Sequence, residues 1–420
     1  MCIRDSSQAL EHGMPAQRIV VTAAIKPRPL LELALGCGAM LVLDNFDEAA
    51  AVLDILATAG RADRPDAAPP ALALRLAPTP VGPVPPTRFG ESAATWRAWV
   101  TSPAVREAGV QISGVHFHLH GYDAAARALA IGEACTLIDA LREAGHEPTF
   151  VDMGGGIPMS YLDDQQQWEA SERAVRTAQG PDPADWITWE GAPLTQHYPY
   201  HQAPVRGDWL RGLLASPASV DGADGAARAD KAARADEADG ADGAARADGV
   251  AGSVPTAAEA LRSRGLRLAC EPGRSLLDGC GMTLTRVIQR TSTSHGAALV
   301  GVEMNRTQCR STSDDFLVDP LLVRTGTQSG EPMDAFVVGA YCIEAELILR
   351  RRLHFPGGVA VGDILALPNT AGYLMHILES ASHQLPLASN VVRREGGFVR
   401  DGIDAIAPQR PWEEEPTPAR

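Results

Sequence analysis

Lysine is almost absent from this sequence. It occurs twice, at Lys26 and Lys231, whereas arginine supplies the other 35 basic residues. Long apolar runs are also missing: none approaches the length of a membrane span, and the N-terminus has no apolar signal core. The seven cysteines are scattered without a CxxC pair, which argues against a disulfide framework or a zinc ribbon. We therefore expect a reduced, cytoplasmic protein that does not enter a membrane.

The composition indicates a globular protein with room for two domains, since 45% of the 420 residues are hydrophobic. A net charge of −15 argues against a general binder of nucleic acid or anionic lipid. Residues 1–7 have neither a signal pattern nor a helical one, and we interpret them as a non-native leader.

Short apolar strands alternate with helical segments through the first part of the chain. Strands are predicted at 19–25, 40–43, 71–76, 112–118, 150–152 and 266–269. This alternation predicts parallel βα units, in which each strand is followed by a helix. We assign residues 8–270 to this α/β domain.

Residues 220–251 interrupt that domain. They consist of Ala, Asp, Gly and Arg with almost nothing else, and ADGAARAD occurs twice, at 223–230 and 241–248. Such a segment cannot bury enough apolar surface to order itself. We predict a disordered insertion whose deletion leaves the stability of the protein nearly unchanged.

The sequence pattern changes over residues 271–420, where little helical periodicity remains. Strands are predicted at 282–289, 297–304, 320–324, 335–342 and 363–367, with turn residues between them. We therefore predict a mainly antiparallel β domain at the C-terminus.

Three consecutive glycines, Gly154, Gly155 and Gly156, follow a predicted strand in the run FVDMGGGIP. Because they lack Cβ atoms, their N–H groups can approach a phosphate closely at the strand end. The alternative is a flexible turn, which the local pattern alone favours.

Three histidines alternate in the run GVHFHLHG, at His116, His118 and His120. On a strand all three side chains point to one side. That arrangement fits a metal site, because imidazole is a common ligand. Two alternatives stay open: a packed strand end, and a single ring that lies against an aromatic ligand.

Charged or reactive side chains follow three later strands. The run LACEPGRS presents Glu271 and Arg274 around a Pro-Gly turn, either as an exposed ion pair or as partners for a ring nitrogen and a phosphate. GAYCIEAE places Cys342 at a strand end beside Glu344, and NTAGY presents Tyr373. Taken singly, each motif has a purely structural explanation.

As an ordered set, HFHLHG, DMGGGIP, CEPGRS, GAYCIEAE and GDILALPNTAGY resemble the landmarks of the fold-type III decarboxylases that depend on pyridoxal 5′-phosphate (PLP). This family includes diaminopimelate, ornithine and arginine decarboxylases. The resemblance implies a (β/α)8 TIM-like barrel, here incomplete at its N-terminus, that binds PLP at its C-terminal mouth. It also implies a C-terminal all-β domain.

The resemblance implies a role in cofactor binding for several residues. His118 would stack on the pyridine ring, and Glu271 would keep the ring nitrogen protonated. Gly154–Gly156 would hold the phosphate together with Gly273 and Arg274. One departure concerns this phosphate site, because the family has Gly-Ser after the stacking histidine and the chain lacks that hydroxyl.

The family also implies roles for residues of the β domain. Tyr373 would lie near the phosphate, and Cys342 would return a proton to the substrate carbon after CO2 leaves, across the interface of a homodimer. Directly after the cysteine, the enzymes for diamino acids carry a carboxylate, whereas this chain has Ile343. Glu344 is the candidate substitute in substrate binding, and we expect a substrate other than a standard diamino acid.

The largest departure concerns the lysine that binds PLP covalently in the family, in a tyrosine-containing run on the first barrel strand. No such run is present. Lys26 ends a predicted strand, but the surrounding TAAIKPRPLLELAL resembles a later family segment with a non-catalytic lysine. We therefore expect an N-terminally truncated member with little or no decarboxylase activity.

Three functions stay open at this point. The leading hypothesis is a PLP-dependent amino-acid decarboxylase-like protein. The second is a non-catalytic binding homologue of the same fold. The third is a metal-dependent barrel hydrolase that uses His116, His118 and His120, and it ranks last because no downstream His/Asp cluster completes its metal site.

Overall fold

The computed structural model describes residues 3–58, 70–178, 180, 183–195, 200–219, 254–308, 318–326, 330–371, 391–394 and 397–400. Two sequence-based predictions fall outside these ranges, the insertion 220–251 and the position of Tyr373. Among the described helices, none combines the length and the apolar character needed to cross a membrane.

Helices and strands alternate in the first part of the chain. In chain order the elements are α1 (Ile3–Glu11), β1 (Val20–Val21), α2 (Arg28–Cys37), β2 (Met40–Leu43), α3 (Phe46–Thr58), β3 (Ala71–Arg75), α4 (Ala93–Val100), α5 (Pro103–Ala108), β4 (Gln111–His116), α6 (Ala124–Glu143), β5 (Phe150–Asp152), α7 (Gln165–Thr177), β6 (Thr188–Trp189), β7 (Ala192–Pro193), α8 (Arg206–Ala215), α9 (Ala257–Arg262) and β8 (Arg267–Ala269).

A six-stranded sheet forms the centre of this part, with the strand order β1-β2-β3-β4-β5-β8. All neighbouring strands are parallel. Val21, Leu41, Leu72, Ile112 and Val151 are fully buried along it. Such continuous apolar strands are typical of parallel sheets, which are covered on both faces. All six predicted strands are present and form a parallel half-barrel, but β1 covers only Val20–Val21 of the predicted 19–25. Lys26 therefore follows that strand after a short connection, whereas the sequence predicts that it ends the strand.

Local signals explain where most helices begin and end. The sequence predicts two N-caps here, Asp123 for α6 and Asp47 for α3. The Asp123 carboxylate accepts the Ala126 N–H at 2.8 Å and caps α6. Asp47 lies inside α3 instead. Asn45 takes that role, because its side-chain oxygen accepts the Glu48 N–H at 3.0 Å.

The helix α1 includes residues that the sequence pattern assigns to a leader. It spans Ile3–Glu11, so the expectation that residues 1–7 have no helical structure is wrong for 3–7. Ala9 and Leu10 pack against the core of the half-barrel. This tertiary contact supports a helix that the local pattern does not predict.

The second part of the chain is a separate sheet-rich domain. Its strands are β9 (Met282–Ser292), β10 (Ala298–Val302), β11 (Leu321–Val323), β12 (Met333–Val338), β13 (Leu353–Phe355), β14 (Ile364–Pro368), β15 (Val391–Arg394) and β16 (Gly397–Arg400). The main sheet has the order β11-β14-β9-β10-β12-β13. Its pairs are antiparallel except β10 with β12. With the half-barrel, this domain confirms the predicted fold class.

The segment between β5 and α8 joins the two parts. Trp168 and Tyr200 lie in the apolar core of the sheet-rich domain. Trp189 packs edge-on against Phe336, with ring centroids 5.1 Å apart. The core of the second domain is therefore not built only from residues after position 270.

Candidate active site

The carboxyl ends of β4, β5 and β8 lie side by side, because these three strands are parallel neighbours. The Phe117 N–H donates to the Asp152 carbonyl at 2.9 Å, and the Glu271 N–H donates to the Gly154 carbonyl at 2.8 Å. The three early motifs therefore meet at one edge of the sheet. We call this group the mouth cluster; it comprises His116, His118, Asp152, Gly154–Gly156 and Glu271.

The glycine loop has backbone geometry that other residues rarely adopt. Gly154 and Gly156 have φ values of +66° and +85°. A Cβ atom on Gly154 would lie 2.6 Å from the Phe117 carbonyl oxygen, and one on Gly155 would lie 3.1 Å from the Glu271 carbonyl oxygen. The glycines are thus required for the close approach of three segments, which the flexible-turn interpretation does not explain.

Two of the three loop N–H groups bond within the protein. The Gly154 N–H donates to Asp152 Oδ1 at 2.9 Å, and the Gly155 N–H donates to His118 Nδ1 at 3.2 Å. No described hydrogen bond uses the Gly156 N–H. The loop therefore presents fewer donors to a ligand than three glycines suggest.

His118 is neutral near pH 7. Burial lowers its pKa to about 4, and the charges of Arg75 and Arg127 contribute. Its Nδ1 accepts a hydrogen bond from Gly155, so the ring has a fixed orientation against the loop. A neutral, oriented imidazole is suited to lie against an aromatic ring.

A second group lies deeper in the mouth cluster. His116 is fully buried, and neither ring nitrogen has a hydrogen-bond partner among the described residues. Donor atoms of His116, Asp152 and Glu271 lie within 4.8 Å of one another. Burial holds the pKa of His116 well below its ordinary value. Burial and the Glu271 charge raise the pKa of Asp152 to about 6.

The three alternating histidines do not form a group. β4 ends at His116, so His118 and His120 lie beyond the strand, and His120 is exposed. The alternation therefore does not give the shared side that a regular strand would impose. Within the described ranges, the His116–Asp152–Glu271 set alone has the spacing of metal ligands.

Arg274 lies in a buried position after β8, with 7% of its surface exposed. Its guanidinium donates to the Tyr122 hydroxyl and lies 5.7 Å from the centroid of the Tyr161 ring. Gly273 begins the short helical turn that carries it, with φ of +53°. The contact with Tyr122 places Arg274 beside the loop after β4.

Arg127 is a buried residue of the site that the motifs do not reveal. Its Nη2 donates to the carbonyls of Leu119, Gly121 and Gly155 at 3.0, 2.7 and 3.2 Å. It thus joins the loop after β4 to the glycine loop. The available sequence signal is an arginine within the apolar stretch of α6.

A network of buried charges continues toward β1. Lys26 Nζ lies 2.5 Å from Glu48 Oε1, with 0% and 6% of the side chains exposed. Arg75 Nη1 lies 2.8 Å from Asp44 Oδ1. Burial lowers the pKa of Lys26 against the opposing attraction of Glu48. Charged residues directly after apolar runs, as in MLVLD and ALALR, are the sequence signal for this network.

The Cys motif lies elsewhere. β12 ends at Val338, earlier than the predicted strand 335–342, and we call the exposed residues 340–345 the Cys loop. Cys342 is exposed, and Ile343 is 50% exposed. The Glu344 carbonyl accepts the Trp189 Nε1–H at 3.2 Å. None of the described contacts brings this loop to the mouth cluster.

Residues 5–180 match the pyridoxal-binding domain of the pyridoxal-dependent decarboxylases. The uncharacterised protein y4yA of Sinorhizobium fredii is 30% identical over 382 residues, which are 89% of this chain and 71% of that protein. The chain belongs to the family of fold-type III PLP-dependent decarboxylases. A diaminopimelate decarboxylase of Actinosynnema pretiosum is 30% identical over 150 residues, 36% of this chain and 32% of that enzyme.

Solved structures of the family share the fold. The Paramecium bursaria Chlorella virus arginine decarboxylase has a TM-score of 0.55 and 15% identity, and the alignment covers 90% of this chain and 77% of that one. The Helicobacter pylori diaminopimelate decarboxylase complexed with L-lysine has a TM-score of 0.56 and 18% identity, with coverages of 95% and 79%.

PLP is the cofactor of this family, and the residues present fit it. A glycine loop that a Cβ atom would obstruct, a buried arginine and an exposed carboxylate are groups that would suit its phosphate and its ring nitrogen. The side chains with these properties are Arg274 and Glu271. The small-molecule substrate that the family implies is an amino acid.

Proposed function

We propose that the protein is an amino-acid decarboxylase-like protein that uses PLP. The observation that carries the proposal is the contact of His118, Gly155 and Glu271, which come from three separate strand ends. Bound PLP supplies a ring that accepts the electron pair left when a carboxylate departs as CO2. This use of the ring needs a proton on its nitrogen, and Glu271 is the group to hold it there.

The mouth cluster supports that role of Glu271 electrostatically. Asp152 lies close to Glu271 and has a pKa raised to about 6, so it is largely ionised at neutral pH. Two negative charges close to a ring nitrogen raise its pKa and so favour its protonated form. His118 stays neutral near pH 7, so it adds no positive charge that would oppose protonation of the ring nitrogen.

The proton that replaces CO2 is proposed to come from Cys342 of a second copy. A side chain that acts across a subunit interface is exposed in the isolated protomer, as Cys342 is. Its neighbours Tyr341 and Ile343 are 49% and 50% exposed, and an interface would bury this apolar surface. We therefore propose a homodimer with shared active sites.

The substrate is proposed to lack a distal amino group. Ile343 offers no charge to an ammonium group, and an unpaired ammonium in a closed site is unfavourable by several kcal/mol, on the order of the desolvation of one ion. Glu344 is the carboxylate that would reverse this expectation, since the nearby Glu346 is buried and paired with Arg306. Comparing CO2 release from apolar amino acids with that from lysine or ornithine tests the preference.

The direct test of the function is a PLP titration followed by absorbance and by CO2 release. We expect PLP to bind and Glu271→Gln to lower CO2 release far more than PLP affinity, because the ring nitrogen loses its proton holder. A protein that binds no PLP contradicts the proposal. Equal activity of Glu271→Gln contradicts the role of Glu271.

A non-catalytic binding homologue remains the second candidate, because Lys26 is held in an ion pair with Glu48. A lysine held in this way is not available to bind PLP covalently. Borohydride reduction of the PLP-soaked protein, followed by peptide mapping, decides this point. Specific labelling of Lys26 together with CO2 release would exclude this second candidate.

A further inference from the structure

Arg127 is a fully buried cation on α6. No carboxylate among the described residues forms an ion pair with it. Asp123, the acidic residue that caps the same helix, accepts the Ala126 N–H at 2.8 Å. Burial lowers the pKa of Arg127 to about 10, so it remains charged at neutral pH. The Asp123 charge opposes this lowering of the pKa, and the Trp209 ring centroid lies 5.6 Å from the guanidinium, but no ion pair balances the charge in the described residues. A buried charge without an ion-pair partner is unfavourable unless a ligand neutralises it.

The hydrogen bonds of Arg127 satisfy it only in part. Three backbone carbonyls accept from Nη2, and the Asp123 carbonyl accepts from Nη1 at 3.3 Å. The Nε atom is buried without a hydrogen-bond partner in the described residues. Carbonyl dipoles orient the guanidinium, but they carry no net charge to balance it.

The position of this charge relates it to the glycine loop. The guanidinium occupies the space where a Cβ atom of Gly156 would lie, and it contacts the Gly155 carbonyl. It also contacts the carbonyl of Gly121, whose neighbour Tyr122 accepts from Arg274. The Arg127 guanidinium therefore contacts the glycine loop directly, and the Arg274 guanidinium contacts the residue that follows Gly121.

We propose that Arg127 is the counter-charge of the cofactor phosphate, placed behind the glycine loop. It compensates for the hydroxyl that is missing at Gly121 and for the loop N–H groups that already bond to Asp152 and His118. Arg127 is a positioning residue, since it acts through the loop and through its charge. The inference rests on the proposed function, because the phosphate belongs to PLP.

Two variants separate the effect of the Arg127 charge from the effect of its hydrogen bonds to the backbone carbonyls. Arg127→Gln keeps N–H donors for the carbonyls but has no charge, whereas Arg127→Lys keeps the charge with fewer donors. Arg142→Met is the matched control, because Arg142 also lies on α6 and donates to backbone carbonyls, at Pro148 and Arg264. Folding of each variant is checked by circular dichroism.

The measured quantity is the ratio of the dissociation constants of pyridoxal and PLP, which differ only in the phosphate. We expect Arg127→Gln to lower this ratio by roughly 10- to 100-fold, as for the loss of one charge contact in a buried site. Arg127→Lys and Arg142→Met should keep it near the parent value. A purely structural role would weaken both ligands equally and leave the ratio unchanged.

Each outcome decides between the two proposals. If the parent protein prefers PLP and Arg127→Gln retains that preference, the role of Arg127 is refuted and the proposed function stands. If the parent binds no PLP, both fail. Should Arg127→Gln not fold, the neutral variant Arg127→Met takes its place: a ratio at least tenfold below that of the parent supports the counter-charge, and a ratio near that of the parent overturns it.

Discussion

The mouth cluster and the Cys loop differ in how completely one chain builds them. His116 is fully buried, and Gly154, Gly155 and Glu271 are connected by backbone hydrogen bonds or close contacts. In the Cys loop, by contrast, residues 340–345 are all exposed. The same polypeptide thus carries a preorganised mouth cluster and an exposed loop that has no described contact with it.

Under the proposed function, this difference corresponds to two tasks of a decarboxylase. Binding and orienting a cofactor requires fixed donors, which a parallel sheet supplies because its strand ends converge at one edge. Delivering a proton requires one acidic atom at the correct place, and an exposed loop can bring it from a second subunit. Variants in the two regions measure how rigid the mouth cluster is and how independent of it the Cys loop is.

The largest loss of stability is expected for Lys26→Met. It leaves Glu48 buried without its partner at 2.5 Å, which should lower the free energy of unfolding by about 3–5 kcal/mol. Urea unfolding measures this change. The control is Arg28→Met, which removes two exposed ion pairs, with Glu32 and Asp54, and should change stability far less. Equal effects of the two variants would show that the Lys26 pair is not effectively buried.

Gly156→Ala should lower stability by about 3 kcal/mol, from strain at φ of +85° and from a Cβ 2.9 Å from the Gly121 carbonyl oxygen. Gly145→Ala is the control, because Gly145 has φ of +91° with open space around its Cβ position. It should lose about 1 kcal/mol. Thermal unfolding measures the stability of both variants. Equal losses would show that the short contact between the Cβ atom and the Gly121 carbonyl does not contribute to the destabilisation.

The pH dependence of stability should report His118. Its pKa falls from the ordinary value of 6.5 to about 4 on folding, so the unfolded state binds the proton more tightly. The resulting stability is present above pH 6.5 and is lost as the pH falls toward 4. His118→Gln should reduce that loss by about 2 kcal/mol, measured by urea unfolding.

His295→Gln, at an exposed turn, serves as the control for the pH series. Its profile should follow that of the parent. His116 also has a lowered pKa, so the comparison uses the difference between parent and His118→Gln rather than the parent profile alone. Parallel profiles for His118→Gln and the parent would contradict the burial of this ring.

Cys342→Ala should have the smallest effect on the isolated chain. Because Cys342 is exposed, stability should change by less than about 0.5 kcal/mol, and PLP affinity should be unchanged. In a preparation that has decarboxylase activity, the rate of CO2 release or of protonation of the substrate carbon should still fall. Cys280→Ala, another exposed cysteine, is the control and should change neither. A loss of PLP affinity in Cys342→Ala alone would connect the Cys loop to the cofactor site within one chain.

The sequence predicts the six parallel strands well, because each is a short apolar run bounded by turn residues. It also predicts that His118, the glycines and Glu271 meet, since strand ends in a parallel sheet share an edge. It does not predict Arg127, which has no motif of its own. The segment of Trp168 and Tyr200 is missed for a related reason, because its aromatic residues have no regular period.

Local pattern alone determined the strands, the cap at Asp123 and the order of the motifs along the chain. These features depend on nearest neighbours and on the two-residue and 3.6-residue periods of the backbone. Only the tertiary structure decided which charges are buried, because burial depends on segments far apart in sequence. It placed Lys26 against Glu48 and Arg127 behind Gly155, and it left Cys342 exposed. The desolvation that sets the charge states of His118 and Asp152 exists only once those segments have packed.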